Sequence, residues 1–349
     1  MLARLTNMLD RSNMNWPMDM DLLDGLLNLG AVDGRLDERC ELRSPWALEN
    51  AGTGPREIPY HAVIAGAAVV RGPSLEPTTL YAGDILMLPS GEAHSIVDQA
   101  DGATLAQGRS SHALQTRRDE MGSVPTVLLC GRFLLAYSAW RLYRALLPEH
   151  VIVRAHAGAA ESAIATSSEA RLSRLLMLMK EEAEQLQPGY AAVLRNLSAA
   201  LFGLTLRAAM HESHAPAGML ALAAHPRLRE LAVRIVQTPS QAWTIEEMGE
   251  IANMSRSSLI RSFGAVAGMT PAEFVTRIRI AEASRLLKES EQSVAAVGEA
   301  VGYASEAAFQ RAFKRETSLT PAAWRAAPQA GVEPVRPPRV VSIGGGAQG

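Results

Sequence analysis

A chain of 349 residues with 48% hydrophobic and 20% charged residues has the composition of a folded protein of two or three domains and excludes a disordered one. Its longest uncharged apolar stretch near the front, His61 to Val70, is far shorter than the ~20 residues of a membrane-crossing helix, and two cysteines exclude a disulfide scaffold. The net charge of −2 decides nothing until it is divided by domain.

The first fifteen residues form an extension that carries Asp10 and no long apolar core, so no cleaved signal is expected. Residues 16–165 read as a β-rich domain. Short Val- and Ile-rich runs (Ile58 to Val70, Ile85 to Leu88, Val124 to Phe133) are separated by turn residues such as Arg71-Gly72-Pro73 and Tyr81-Ala82-Gly83-Asp84, the pattern of a sandwich or barrel. Residues 166–222 then change period. Leu172, Leu175, Leu176 and Met179 predict one amphipathic helix, Pro188-Gly189 breaks it, and Val193, Leu194, Leu197, Leu201 and Leu204 predict a second. This hairpin has apolar surface to place on the β-domain or on the same hairpin of a second subunit.

Residues 223–327 read as short helices, with capping boxes at Thr244/Glu247 and Thr270/Glu273. An internal repeat runs through them. Ser255-Arg256-Ser257-Ser258-Leu259-Ile260-Arg261-Ser262-Phe263 returns fifty residues on as Ser305-Glu306-Ala307-Ala308-Phe309-Gln310-Arg311-Ala312-Phe313. Each copy predicts a helix-turn-helix. Leu259, Phe263, Phe309 and Phe313 face the core, which leaves Arg256, Ser257, Ile260 and Arg261 outward in the first copy and Glu306, Ala307, Gln310 and Arg311 in the second. Arg261 and Arg311 share a slot from which a guanine edge or a phosphate is in reach, and Lys314 and Arg315 suit phosphates. Because residues 223–327 hold 13 basic against 11 acidic side chains, and residues 1–222 hold 19 against 24, bulk charge attracts DNA weakly and a few arginines must be well placed. Glu306 and Ala307 offer little to base edges, so the first unit is expected to discriminate sequence. The last segment, 328–349, with four prolines and a Gly-Gly-Gly run, is expected to be a disordered tail.

The string from Val301-Gly302-Tyr303 through Phe309, Arg311 and Phe313-Lys314-Arg315 to Thr320-Pro321 and Trp324-Arg325 resembles the C-terminal signature of AraC/XylS-family transcription regulators. The resemblance implies two helix-turn-helix units joined by a long helix over about Pro271 to Glu289, set in successive major-groove segments of double-stranded promoter DNA. In the β-domain, Gly83-Asp84 and Pro89-Ser90-Gly91-Glu92-Ala93-His94 resemble the second motif of cupin barrels. The first cupin motif is incomplete: Tyr60-His61-Ala62-Val63 supplies one histidine and no matching Glu, which argues against a cupin enzyme, since a metal site needs three or four ligands.

Together with Cys40, Trp46 and Cys130-Gly131-Arg132-Phe133, these segments resemble the cupin-type sensor domain of one AraC branch, and within it most resemble a reactive-chlorine-sensing regulator. The expected fold class is therefore α+β: an N-terminal cupin-like β-barrel, a helical hairpin linker and a C-terminal all-α domain with two helix-turn-helix units. The resemblance implies a cytoplasmic, homodimeric activator that works beside RNA polymerase without enzyme activity or membrane contact. It also implies redox sensing at Cys40 and Cys130, oxidation of Cys130 with Cys40 as partner shifting the protein toward its activating state, with His61 and His94 in the sensor pocket. No cofactor is required by this reading. Three others stay open: a small organic effector in the barrel with inert cysteines, a zinc or copper ion on His61, His94 and Cys130, and a cupin enzyme fused to a DNA-binding domain. His211, His214 and His225 read as solvated surface.

Overall fold

The computed structural model describes residues 21–30, 32–98, 125–136, 139–154, 168–210, 218–327 and 339–343. The expected N-terminal extension, His211 and His214 lie outside them. The β-domain consists of β1 (Val32–Leu42), β2 (Ala47–Asn50), β3 (Glu57–Ala65), β4 (Ala67–Gly72), β5 (Leu75–Tyr81), β6 (Ile85–Met87), β7 (His94–Asp98), β8 (Thr126–Leu135) and β9 (Val151–Val153). The chain switches sheets at Gly66, whose φ of +75° is open to glycine without strain. The single run from Ile58 to Val70 is thereby split between β3 and β4. β3 joins a six-stranded sheet, completed by β10 (Arg339–Ile343), in the order β10-β1-β8-β3-β6-β9, and β4 joins a four-stranded sheet in the order β2-β7-β4-β5. The cupin-like barrel is thus two facing sheets, its ladder not closed into one ring.

One core lies between the sheets, built from Cys40, Leu42, Val63, Leu86, Leu128 and Cys130 on one side and Ala68, Val70, Leu80 and Ile96 on the other. The opposite face of the six-stranded sheet is buried as well. Leu36, Ile58, Tyr60, Ala62, Leu129 and Phe133 share a second core with helices. A β-bulge at Asp37 lets β1 serve both: Leu36 pairs with Gly131, Glu38 with Cys130 and Cys40 with Leu128, so side chains change face across the extra residue. Arg132 clamps the bulge, its Nε 2.8 Å from Asp37 Oδ2.

Two helices lie within the stretch expected to be β-rich. α1 (Leu22–Leu29) is capped by Asp21, whose side chain accepts from Asp24 N at 2.8 Å, and it buries Leu22, Leu23, Leu26 and Leu29. α2 (Trp140–Leu146) follows β8. The predicted hairpin is present as α3 (Ser168–Gln185) and α4 (Tyr190–Ala209), with Gly189 at φ +90° in the break. α4 lies against β1. A ring system of Tyr60, Phe133, Phe202 and Tyr143, with successive centroids 4.5, 5.0 and 5.7 Å apart, joins sheet, hairpin and α2. Tyr143 then donates to Leu26 O at 3.0 Å and ties in α1.

The C-terminal domain holds α5 (Met219–Ala224), α6 (Leu228–Gln237), α7 (Ile245–Ala252), α8 (Arg256–Ala267), α9 (Pro271–Glu289), α10 (Val294–Ala300), α11 (Glu306–Thr317) and α12 (Pro321–Ala326). Both capping boxes form as expected. The tail differs from its expectation. Arg339–Ile343 is a strand, β10, paired in parallel with β1. Val340, Val341 and Ile343 supply β-branched side chains directly after Pro337-Pro338, and that local preference outweighs the composition of the rest.

Gly34 permits the close approach of α4, and Gly131 leaves room on the same face for Tyr60. A Cβ on Gly131 would sit 2.1 Å from Arg35 O and 2.5 Å from Tyr60 Oη, and one on Gly34 would sit 2.2 Å from Ser198 Cβ. Gly264, inside α8, has nothing within 4 Å of such a Cβ. The same substitution is therefore expected to act with opposite sign. Gly131→Ala should destabilise by ~2 kcal/mol or more through overpacking, whereas Gly264→Ala should gain about 0.5–1 kcal/mol from helix propensity; urea unfolding measures both.

Candidate functional site

Both helix-turn-helix units are built as the repeat predicts. α7 ends on Asn253 at φ +55°, and the equivalent turn after α10 uses Gly302 at φ +88°. Ser255 and Ser305 cap the second helices, α8 and α11, accepting from Ser258 N and Ala308 N. Leu259, Phe263, Phe309 and Phe313 are fully buried. Arg256, Ser257, Ile260 and Arg261 on α8 are exposed, as are Glu306, Ala307, Gln310, Arg311, Lys314 and Arg315 on α11. Several of these side chains hold one another. Arg256 lies 3.6 Å from Glu246, Gln310 donates to Glu306 at 2.8 Å, and Arg315 donates to Glu316 at 3.2 Å.

The long α9 joins the units as expected, and it also clamps them. Arg279 donates to Pro239 O at 2.7 Å and to Gln241 O at 2.8 Å while lying over the Tyr303 ring at 5.6 Å. One guanidinium thus spans the entry to the first unit and the turn of the second. Trp324 donates to Ser284 O at 3.1 Å and closes the far end. His225, read as solvated surface, has a local structural part: its Nδ1 accepts from Arg227 N and Leu228 N and caps α6.

In the β-domain the four singled-out residues meet. Cys40 and Cys130 are free, buried thiols, and His61 and His94 are only 3% and 4% exposed. Cys130 Sγ lies 3.1 Å from His61 Nδ1, His61 Nε2 lies 2.7 Å from His94 Nε2, and His94 Nδ1 lies 3.0 Å from Glu92 O. The carbonyl sets every proton in the series. It can only accept, so His94 carries its hydrogen on Nδ1 and, when neutral, presents a bare Nε2. His61 must then donate from Nε2, which leaves its Nδ1 to accept from the Cys130 thiol. Protonating His94 reverses the order: His94 donates to His61, and His61 donates to the Cys130 sulfur, which becomes an acceptor. The cupin-like segment Pro89 to His94 serves this arrangement, since Glu92 and His94 come from the same turn. Glu92 O is the functional atom that side-chain motifs do not show.

Burial, with the neighbouring His94, pushes His61 down to about 3, and burial lowers His94 against the opposing pull of the Glu92 carbonyl and the Glu92 and Glu49 carboxylates. The Cys40 neighbour and burial push Cys130 well up, whereas the one Cys130 S–H, which faces both His61 Nδ1 and the Cys40 sulfur, holds Cys40 below the ordinary value. At rest the chain of groups is therefore neutral, with the proton on Cys130. His94 also lines a cleft of about 440 Å³ with Glu49, Asn50, Arg71 and Ser95.

The three metal-ligating side chains do not fit zinc or copper as they stand. A tetrahedral ion with Zn–N bonds near 2.0–2.1 Å holds two nitrogens about 3.3 Å apart, wider than the 2.7 Å between the two Nε2 atoms. Cys130 meets the opposite nitrogen of His61, so the groups stand in series and do not surround a point. Among the described residues no three His, Cys, Asp or Glu side chains could hold a metal ion.

Two family models match the chain: a cupin domain over residues 21–211 and a helix-turn-helix domain over residues 248–327. The RCS-specific HTH-type transcriptional activator RclR of Escherichia coli (strain K12) is 31% identical over 307 residues, 88% of this chain and 97% of that protein. An uncharacterized HTH-type transcriptional regulator of Haemophilus influenzae is 30% identical over 88% of this chain and 98% of its own. The HTH-type transcriptional regulator MtrA of Neisseria gonorrhoeae is 28% identical over the same shares. No described helix is long and apolar enough to cross a membrane. With its cupin domain, its paired helix-turn-helix units and full-length relatives that are regulators, the chain belongs to the AraC/XylS family of DNA-binding transcription regulators, in the branch with a cupin-type N-terminal domain.

Proposed function

We propose that this regulator is an oxidant-responsive activator of transcription, in which Cys40 and Cys130 are the sensing pair and the two imidazoles are their proton wire. The observation that carries the reading is the 3.1 Å contact of Cys130 with His61, continued to His94 at the cleft. A buried thiol is a poor nucleophile because the thiolate is the reacting form. Here a base stands on its proton, and a second imidazole can take up the charge nearer the surface. The order of attack suggested by these electrostatics is the reverse of the one expected from the resemblance. Cys40, held below its ordinary pKa, is attacked first. Hypochlorous acid delivers its chlorine to the Cys40 sulfur as hydroxide leaves, giving a sulfenyl chloride. The Cys130 sulfur then displaces chloride and forms the S–S bond. Its proton passes to His61 Nδ1 while His61 hands its Nε2 proton to His94. Two thiols and one hypochlorous acid become one disulfide, water, chloride and a proton.

At rest both thiols are free. Cys40 pairs with Leu128 and Cys130 with Glu38, so the cysteines are diagonal neighbours on one face, a placement that sets residues about 7–8 Å apart. A disulfide needs Cα atoms within ~6.8 Å. Oxidation therefore pulls β1 toward β8, and both strands bear on their other face the core shared with the hairpin and the first helix-turn-helix unit. The hairpin keeps Met177, Leu178, Leu186 and Val193 41–47% exposed, apolar surface that supports a homodimer, as the activator role supports contact with RNA polymerase. The cleft beside His94 favours a second reading, a small polar effector that biases the same wire. A saturable thermal shift by such a molecule in a Cys40→Ala, Cys130→Ala chain would support it.

Two tests follow from the site. With a reporter on the gene's own upstream region, hypochlorite should induce transcription in the wild type and not in Cys130→Ala. Replacing the base by His61→Phe should slow Cys40–Cys130 bridging by ~10-fold or more at neutral pH. That defect should shrink as pH rises and the thiol ionises unaided; a pH-independent defect would mean that His61 only packs. On DNA, Arg261→Ala should cost ~1–3 kcal/mol with loss of discrimination at one base pair, and Lys314→Ala should weaken all sequences alike and lower the salt slope by ~1. Anisotropy titrations on promoter and scrambled duplexes at several salt concentrations read both; equal loss on the two duplexes for Arg261→Ala would make it a phosphate contact.

A further inference from the structure

We infer that β10 is a strap, by which the end of the chain beyond the DNA-binding domain holds the cysteine-bearing strand of the sensor in its unbridged position. β1 is the strand that carries Cys40, and apart from β10 it would be an edge of the six-stranded sheet. Edge strands present unpaired N–H and C=O groups that soluble proteins pair or cover. Here the covering segment comes from the other end of the chain. The parallel ladder runs Glu38↔Arg339, Arg39↔Val340, Cys40↔Val341, Glu41↔Ser342 and Leu42↔Ile343, so Cys40 is its middle residue and opposite charges share the first register position. The twelve Cα steps from Ala327 to Arg339 can span at most ~43 Å. A docked β10 therefore leashes the DNA-binding domain to the sensor.

The position of the ladder gives the strap its leverage. Along Glu38–Leu42, β1 is held by β8 on one edge and by β10 on the other. At the ~7–8 Å spacing of diagonal neighbours, which the register of Cys40 and Cys130 sets, bringing the two within bonding distance would shift β1 relative to β8 and strain the parallel ladder unless β10 moves too. Docking of the strap thus opposes the bridge, and by linkage the bridge weakens docking to the same degree. Oxidation would lengthen the leash on the DNA-binding domain, and loss of the strap would sensitise the thiols. The part of this inference that concerns the thiols rests on the redox reading above; the docking of β10 on β1 stands apart from it.

The test uses the full chain. In a parallel pair the N–H groups of successive residues point to opposite sides, so one of Val340 and Val341 donates toward β1. The double substitution Val340→Pro, Val341→Pro removes that donor whichever residue supplies it, and Val340→Thr, Val341→Thr keeps strand propensity as a control. A chain ending at Pro338 is a second way to remove the strap. Two quantities are read: amide exchange of Glu38–Leu42, and the rate of Cys40–Cys130 bridging with glutathione disulfide. In the latter the two thiols lose two electrons and two protons and the oxidant leaves as two glutathione thiols. The proline variant and the shortened chain should exchange the β1 amides facing β10 at least tenfold faster, leave those facing β8 unchanged, and bridge at least threefold faster; the threonine variant should match the wild type. Unchanged exchange would overturn the docking. Faster exchange with an unchanged bridging rate would overturn the restraint on Cys40. Failure of every form to bridge would sink the thiol reading and the restraint together, while the exchange result would still decide whether the strap docks.

Discussion

The structure depends on three adjacent strands, β1, β8 and β3, being buried on both faces at once. In β8 the alternation of a strand sets Cys130 into the core between the sheets and turns the next position, Gly131, toward the helices. Only glycine fits there, because Arg35 O and the Tyr60 hydroxyl occupy the place of a side chain. On the same outer face Tyr60 meets Ser198 of α4 at 3.3 Å and stacks on Phe133. Chemistry on the inner face and domain packing on the outer face therefore share one backbone. Close-packed cores transmit displacement and do not absorb it, so a movement small enough to join two thiols is already a movement of the surface on which the hairpin rests.

The electrostatics follow from the same burial. An isolated imidazolium in this core would be costly, and both histidines are accordingly pushed toward their neutral forms. Neutral imidazole is the form that accepts a proton. Desolvation, which by itself makes a thiol inert, here also keeps its base unprotonated, and the Glu92 carbonyl directs the hydrogen bonds so that the free lone pair ends at Cys130. Asp84 shows the contrast. It is equally buried, but it is held by Arg154 at 2.9 Å and by Tyr81 N at 3.0 Å, and its task is to fix the turn before β6.

What the amino-acid order reveals tracks the range over which the forces act. The helix-turn-helix repeat, the threonine capping boxes and the span of α9 are local, decided within a few residues by periodicity and capping, and they stand where expected. The β-domain is decided at long range. The Asp37 bulge, which reverses the facing of β1, is set by pairing with a strand some ninety positions on and by Arg132. Gly66 splits an apolar run between two sheets, although in sequence it looks like one more small residue. α1 carried a readable signal, Asp21 before Leu22, Leu23, Leu26 and Leu29, that was masked by its β-rich surroundings. Composition misled in the tail, where prolines and glycines flank a β-branched run that finds its partner three hundred residues away.

The distribution of the cores says which DNA-binding unit the sensor can address. Leu259, Phe263 and Ala267 of the first unit belong to one continuous apolar cluster with α1, the hairpin and the outer face of the sheet. The second unit has its own cluster, around Phe309, Phe313, Val297 and Trp324. α9 contributes Phe274, Val275, Ile278 and Ala281 to the first and Ile280, Ala283 and Leu287 to the second. A rearrangement of the β-domain would thus reach the first unit through packed side chains, and the second through α9 and through the contact of Arg141 with Ser318 at 3.3 Å. Since the domain has little net charge to hold it on DNA, affinity depends on both units engaging together, the second at the effective concentration that α9 sets. On the proposed reading, tilting the first unit against α9 would change binding without unfolding either unit or moving either recognition helix within its own fold.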